Sequence, residues 1–305
     1  MSRAVRFDEY GGPEVLQVVE VDVAPPGPGE ILIRVRASGL NLGEAKIRAG
    51  LLHDRFPATF PSGEGSDLAG IVAAVGPGVV SFAEGDEVAG FTDDRASHAE
   101  LVVVHESNLT KKPPSVSWQV AGSLFVAGTT AYAAVRAVEP ADGETIVIAG
   151  AAGGVGGIAC QLAKRTGARV IGTASTRDHD WLRSIGVEPV GYDGDVARTL
   201  AGLASQIHAF IDTAGHGNVE LAIELGVDPS RIDTIIDFPA VEQFGVKAEG
   251  NAAAGNSAVL GELLELIAAG ELEVPIAKTF TLDEIQQAFR YLEDKPARGK
   301  VVLLP

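Results

Sequence analysis

The chain has 305 residues, 46% of them apolar, enough for two compact domains with cores of their own. Lys and Arg number 24 against 41 Asp and Glu, a formal charge of -17, and with no basic cluster this balance argues against nucleic acid or an anionic membrane as the main partner. The single cysteine, Cys160, excludes an internal disulfide and a multi-cysteine zinc site. No apolar run nears the roughly 20 residues that cross a bilayer, and MSRAVRFDEYGG carries no apolar signal region, so a cytoplasmic location is expected.

From Arg3 to Val23 short extended runs flank a turn at Gly11-Gly12-Pro13, and residues 24–29, APPGPG, form a connection. Glu30 to Ala37 alternates, with Ile31, Ile33 and Val35 on one face and Leu32, Arg34 and Arg36 on the other, which is strand periodicity. A short helix over residues 41–50 is followed by a proline- and glycine-punctuated loop over 56–65. Further strands are predicted over 69–75, 86–89 and 99–104, so the N-terminal part is mostly β. Residues 117–138 read as helix with an interior break at Gly128-Thr129-Thr130.

Thr145 to Ala149 is an apolar, β-branched run of the kind buried on both faces of a parallel sheet. Gly150, Gly153, Gly154, Gly156 and Gly157 follow, then a helical run over 158–165 and a second strand over 169–173. Strand, glycine turn, helix and strand within about 30 residues is half of a dinucleotide-binding βαβ unit, although the glycines recur every third residue and depart from strict GxGxxG. Such glycines bring backbone N–H groups against a pyrophosphate at the helix N-terminus. No Lys-Ser or Lys-Thr pair follows, which disfavours a phosphate-loop hydrolase. Where an NAD site places a carboxylate, this chain has Gly172-Thr173-Ala174-Ser175-Thr176-Arg177. A hydroxyl at Ser175 and the charge of Arg177 suit a 2′-phosphate, which selects NADP(H) over NAD(H), the competing reading being a solvated Arg177 at a helix start.

Beyond it, strands over 187–192, 208–212 and 231–236 alternate with helices over 195–204 and 218–225, the pattern of a doubly wound parallel sheet. Amphipathic helices over 257–269 and 282–293 and a closing strand over 299–304 complete the chain.

The Gly128-Thr129-Thr130-Ala131-Tyr132 segment, the Ala151-Ala152-Gly153-Gly154-Val155-Gly156 loop, the run from Gly70-Ile71-Val72 to Gly85-Asp86-Glu87-Val88 and the closing Arg298-Gly299-Lys300-Val301-Val302 resemble the medium-chain dehydrogenase/reductase superfamily, most of all its zinc-free quinone oxidoreductase branch, zeta-crystallin included. The resemblance spans essentially the whole chain. It implies an α/β protein with a GroES-like catalytic domain over 1–122 and 271–305 and a Rossmann nucleotide domain over 123–270, with the active site in the cleft. It further implies Thr130 at the nicotinamide end, Gly153, Gly154 and Val155 at the pyrophosphate, and Ser175, Arg177 and Tyr192 on the adenosine phosphate side. Ile236 to Phe238 would form the cleft wall and Asn41 would stand near the nicotinamide. Homodimers joined edge to edge through Arg231 to Lys247 are expected on the same ground.

Zinc-dependent relatives carry a cysteine where this chain has Gly39-Leu40-Asn41 and a Gly-His-Glu where it has Ser62-Gly63-Glu64, so no metal is expected. Zinc-free relatives often place an aromatic residue one helical turn after Asn41; Lys46 and Ile47 stand here. A zinc-free site can pass hydride from NADPH to an electron-poor quinone or to an alkene conjugated to a carbonyl, with catalysis resting on positioning. Asn41 is the candidate orienting donor, a role compatible with capping the helix that follows. His53 reads as a solvated loop residue, His98 as structural, and Glu44 and Glu64 as surface or structural groups. Three functions follow: an NADPH-dependent quinone reductase, an NADPH-dependent enone or enoyl reductase, or a non-catalytic NADPH-binding sensor or structural protein.

Overall fold

The computed structural model describes residues 1–294 and 298–305. Two compact units emerge: Met1–Val126 with Asn256–Glu271 and Pro275–Pro305, and Ala127–Gly255 with Leu272–Val274.

In the first unit the chain runs through β1 (Ser2–Phe7), β2 (Gln17–Val21), β3 (Glu30–Gly39), β4 (Ser62–Gly63), β5 (Asp67–Val75), β6 (Glu87–Phe91), β7 (Leu101–His105) and β8 (Leu109–Lys111), with helix α1 (Leu42–Arg48) after β3. The alternation along β3 decides its packing: Ile31, Ile33 and Val35 are buried with Leu68, Val72, Val88 and Val102, while Arg34 and Arg36 face solvent. Antiparallel pairing sets Ala37 of β3 opposite Ala69 of β5, which brings Asp67 alongside the end of β3. The late strand Lys300–Leu304 adds to the same sheet, Val302 opposite Gly39 and Leu303 opposite Ser38, and so delivers Lys300 to the start of α1. A second core joins Phe7, Leu40, Phe289 and Val301 beneath the helix Ile285–Asp294; fully burying a side chain such as Phe289 stabilises by about 1.5–3 kcal/mol.

The second unit holds β9 (Thr145–Ala149), β10 (Arg169–Ala174), β11 (Glu188–Gly191), β12 (Ala209–Asp212) and β13 (Ile232–Thr234) in one sheet, order β11-β10-β9-β12-β13, every pairing parallel. Val147, Ile171, Phe210 and Ile232 pack one core in this unit. The register puts Ala149 beside Thr173 and Asp212, and Asp212 beside Thr234, so the carboxyl ends of these strands lie in line.

Some expectations shift. The helix break falls at residues 122–124, between Trp118–Ala121 and Phe125–Val138, and Gly128-Thr129-Thr130 lies inside a continuous helix. The carboxylate of Asp67 accepts the Val126 N–H at 2.8 Å, which fixes the start of that second helix. Residues 256–270, expected with the nucleotide domain, pack with the first unit, where Leu260, Leu263 and Leu264 of the helix Ser257–Ala268 are buried. The strand Ile276–Thr281, parallel to Lys300–Leu304, and the helix Phe238–Phe244 had no counterpart in the sequence reading. No helix among the described residues is long and apolar enough to cross a membrane.

Candidate active site

Two sets of candidate residues stand out, one in each unit. In the second unit the turn after β9 opens on Gly150 at φ 74°, a conformation that L side chains rarely adopt. A Cβ at Gly156 would lie 2.2 Å from the Gly150 carbonyl oxygen, so the turn can close only on a glycine. Ala151 N–H donates to Thr173 O (3.0 Å) and Gly153 N–H to Gly150 O (2.9 Å), pinning the turn to the neighbouring strand. No side chain caps the helix Gly156–Lys164 that follows, and Gly153, Gly154 and Val155 at its mouth are partly exposed. An uncapped helix start with accessible backbone donors fits a pyrophosphate.

The groups expected on the adenosine side lie together. Tyr192 donates its hydroxyl to Thr173 O (3.2 Å), and Thr176 Oγ1 is 3.5 Å from Asp193 Oδ2, which ties the turn after β10 to the end of β11. Ser175 has no hydrogen-bond partner for its hydroxyl among the described residues, and Arg177 is exposed with Nε 3.4 Å from the buried Asp178 carboxylate. Asp212, which ends an apolar strand, is an organiser that the sequence reading missed. Its Oδ1 accepts Ala214 N–H, Gly215 N–H and Asn218 Nδ2, while Oδ2 accepts Thr234 Oγ1 at 2.8 Å. Thr234 Oγ1 in turn accepts the N–H groups of Ile236 and Asp237, which sets the turn bearing Ile236 and the exposed Phe238. Thr130 is buried on the helix Phe125–Val138, next to Thr129, whose Oγ1 accepts Asn251 Nδ2 (2.8 Å). No hydrogen bond among the described residues joins Thr130 to the glycine turn.

In the first unit Asn41 stands at the N-cap of α1, where it forms a capping box with Glu44 and its N–H donates to Glu44 Oε2 at 2.9 Å. Its amide is also the centre of a buried charge cluster. Nδ2 donates to Glu44 Oε1 (3.1 Å) and Asp67 Oδ2 (3.3 Å), and Oδ1 accepts from Lys300 Nζ (2.5 Å). Lys300 also donates to Leu40 O (3.0 Å) and lies 3.9 Å from Asp67. An ammonium can only donate and an ionised carboxylate only accept, so the amide orientation is fixed by its neighbours. Burial pushes the Asp67 carboxyl up to about 6 and raises Glu44, against the pull of Lys300 and of the Asn41 hydrogen bonds; burial lowers Lys300.

Glu44 and Glu64, expected at the surface or in structural roles, are both buried. Burial and the nearby Glu44 drive the Glu64 carboxyl well above the usual carboxylate range, and its Oε1 has no partner among the described residues. Burial likewise pushes His98 down to about 4, so it is neutral near pH 7 and its Nε2 donates to Gly39 O at 3.3 Å. Arg48, fully buried, pairs with Glu293 (2.6 Å) and lies 4.5 Å over the Phe289 ring. His53 is exposed as expected, with Nδ1 2.7 Å from the Tyr10 hydroxyl. Among the described residues no group of three or more His, Cys, Asp or Glu side chains is arranged to hold a metal ion.

Comparison with known proteins decides the family. Residues 27–142 match the alcohol dehydrogenase GroES-like domain and residues 183–303 a family described as zinc-binding dehydrogenase. A quinone oxidoreductase of Pseudomonas aeruginosa is 31% identical over 334 aligned positions, with all of both chains covered. The chain belongs to the quinone oxidoreductase branch of the medium-chain dehydrogenase/reductase superfamily. Within this oxidoreductase superfamily the quinone oxidoreductase structure from Coxiella burnetii superposes with a TM-score of 0.89 at 30% identity, covering 100% of this chain and 99% of that one. The Escherichia coli quinone oxidoreductase, solved in complex with NADPH, gives a TM-score of 0.87 at 27% identity, covering 99% of this chain and 100% of that one. A 2-methylene-furan-3-one reductase of Solanum lycopersicum is 30% identical over 99% of this chain and 79% of its own length.

Proposed function

We propose that this quinone oxidoreductase relative uses NADPH to reduce a quinone without a metal. The observation that carries the reading is the glycine turn with its uncapped helix on the carboxyl end of a parallel sheet, in a chain similar along its full length to proteins named quinone oxidoreductases. When bound, the reduced nicotinamide supplies a hydride; with one proton from water a quinone becomes a hydroquinone, and NADP⁺ is left. The chain's own residues bind and orient. The Gly153–Val155 turn holds the pyrophosphate through the N–H groups of Gly154 and Val155, with Gly153 keeping the turn closed on Gly150 O; Ser175 and Arg177 hold the 2′-phosphate, and Tyr192 the adenosine side. The Thr130 hydroxyl is assigned to the nicotinamide end, and Ile236 and Phe238 to an apolar wall. Asn41 serves as the orienting donor on the substrate side. Its longest bond, 3.3 Å to Asp67, is the one whose hydrogen an acceptor oxygen would take over.

Reduction of an alkene conjugated to a carbonyl is the second reading, favoured by the tomato relative's name. A homodimer through residues 231–247 belongs to the same proposal. Lys247 already pairs with Ile232 and Thr234 along β13, so the edge left for a partner is that of the segment around Lys247 itself.

The test is NADPH oxidation by the purified protein against a benzoquinone, a naphthoquinone, an unsaturated ketone and buffer, repeated with NADH. Quinone turnover with a strong preference for NADPH is expected. Turnover of the ketone alone moves the assignment to alkene reduction, equal use of NADH removes the 2′-phosphate roles, and NADPH binding without oxidation by any acceptor overturns the enzyme reading.

A further inference from the structure

The outer face of α1 and the loop after it take no part in the buried cluster. Glu44, Ala45 and Arg48 point inward, which leaves Leu42, Gly43 and Lys46 outward, with Lys46 four residues from Leu42 and three from Gly43 and hence on one stripe. Leu42 is 49% and Leu51 74% exposed, and a Cβ built at Gly43 would meet nothing within 4 Å, so the stripe is flat and apolar. Lys46 is half-buried on it, and no hydrogen bond or ion pair engages its ammonium among the described residues. The Leu51 N–H bonds to Lys46 O (3.0 Å), which folds the loop back beside the lysine.

That loop carries a second donor. The Tyr10 hydroxyl accepts the Ala58 N–H (2.9 Å) and lies 2.7 Å from His53 Nδ1, so Tyr10 can give its own hydrogen to Nδ1 and leave Nε2–H pointing outward. Tyr10 also packs edge-on against Phe60, which is 40% exposed, with ring centroids 5.0 Å apart. Between Ala45 and Pro61 the chain carries Lys46 and Arg55 against Asp54, besides the buried and paired Arg48, whereas the whole chain carries -17. An apolar face with a cation and an N–H at its margin is complementary to a flat, conjugated molecule that bears an anionic group.

We propose that the α1 face selects an anionic electron acceptor, its ring system lying on Leu42, Gly43 and Leu51 and its carboxylate, sulfonate or phosphate group held by Lys46 with His53 Nε2. This rests on the reductase reading and narrows its substrate class from quinones in general to acidic quinones or enones.

The experiment compares a naphthoquinone with its sulfonated derivative in the wild-type chain, Lys46→Gln, Lys46→Glu and the control Lys111→Gln, an exposed lysine on β8. The expected result is a kcat/KM ratio of sulfonated to plain quinone that favours the sulfonate and falls about tenfold in Lys46→Gln, the order that one charge-assisted contact contributes. It falls further in Lys46→Glu and stays at the wild-type value in Lys111→Gln. His53→Gln lowers the ratio in the same direction. A ratio within twofold of wild type in both Lys46 variants overturns the proposal. Binding of naphthoate against naphthalenemethanol, both unreactive, to the protein with NADP⁺ decides the matter separately. If no quinone is turned over, the reductase reading has failed, while preferential naphthoate binding lost in Lys46→Gln still supports the anion site, and no preference in the wild-type chain overturns it.

Discussion

The glycine turn of the second unit and the charge cluster of the first are built in opposite ways. The turn is contiguous: strand, glycines, helix and second strand occupy residues 145–174, and Gly153 and Gly156 both close on the Gly150 carbonyl a few positions away, with Thr213 and Trp181 the more distant neighbours of Gly150 and Gly157. The cluster is assembled from afar, with Asn41 bonded to Asp67 26 positions on and to Lys300 259 positions on. A local device can be altered with local consequences. A cluster whose members arrive on β3, β5 and the last strand of the sheet ties stability to chemistry, because each charge depends on the others for its solvation.

The largest effect that would expose this difference is expected from Lys300→Met. It leaves Glu44 and Asp67 buried without their cation, and breaking a buried pair on one side typically costs about 3–5 kcal/mol. The pH dependence separates this from a packing loss. Asp67 is raised from its usual 3.8 to about 6, so the native state holds that proton more tightly than the unfolded chain does. Its contribution is therefore present at low pH and is lost as pH rises from about 4 to about 6, a change on the order of 3 kcal/mol. Without Lys300 both carboxyls rise further, so the variant is expected to lose most at pH 8 and least near pH 5 in urea unfolding. His98, lowered to about 4, works in the reverse sense: its contribution is present above its usual 6.5 and is lost as pH falls through 4. Lys300 is among the charges that hold His98 down, so Lys300→Met relieves part of that loss at low pH and acts in the same direction as the carboxyls. A loss of equal size at both pH values would mean that the cluster is held by packing alone.

Gly156→Ala probes the other construction and is expected to have the next largest effect. The added Cβ would sit 2.2 Å from the Gly150 carbonyl oxygen, so the turn must shift at the backbone donors proposed to hold the cofactor. A stability loss of about 1–3 kcal/mol is expected, with NADPH affinity reduced at least tenfold in a fluorescence titration. If the variant binds NADPH like the wild-type chain, the turn is only a tight connection.

The same contrast explains what could be read in advance. Periods of two and of three to four residues, with glycines between them, locate β9, the helix Gly156–Lys164 and β10 because their packing is set by adjacent residues. Ile236, expected at the cleft wall, and Tyr192, expected on the adenosine side, were assignable only by resemblance, since the Ile236 turn hangs on Thr234 as held by Asp212 of another strand, and Tyr192 on Thr173 of another strand. Asp67 and Lys300 were visible only as charges that each precede an apolar run, Leu68-Ala69 and Val301-Val302. A charge at the mouth of a strand buried on both faces is the signal that was there to use, but its partner depends on strand register, which the pattern does not supply. Of the two roles expected for Glu64, the surface one fails, because a loop rich in proline and glycine normally lies on the surface but here the chain pairs Ser62-Gly63 with β1 and turns the next side chain inward.

Arg177→Gln should have the smallest effect on stability and the most selective effect on binding. The side chain is more than half exposed and its Nε lies 3.4 Å from Asp178, so the fold is expected to change by no more than about 0.5 kcal/mol. NADPH carries a 2′-phosphate and NADH does not, so the dissociation constant for NADPH is expected to rise about five- to tenfold while that for NADH stays unchanged. Removing the guanidinium also leaves the neighbouring Asp178 carboxylate uncompensated, and its repulsion of a phosphate adds to the weakening of NADPH alone. Because the contact is solvent-exposed, its advantage falls with added salt, and the wild-type chain at high ionic strength should approach the variant at low. Equal weakening of both nucleotides would place Arg177 among the groups that shape the turn rather than among those that read the phosphate.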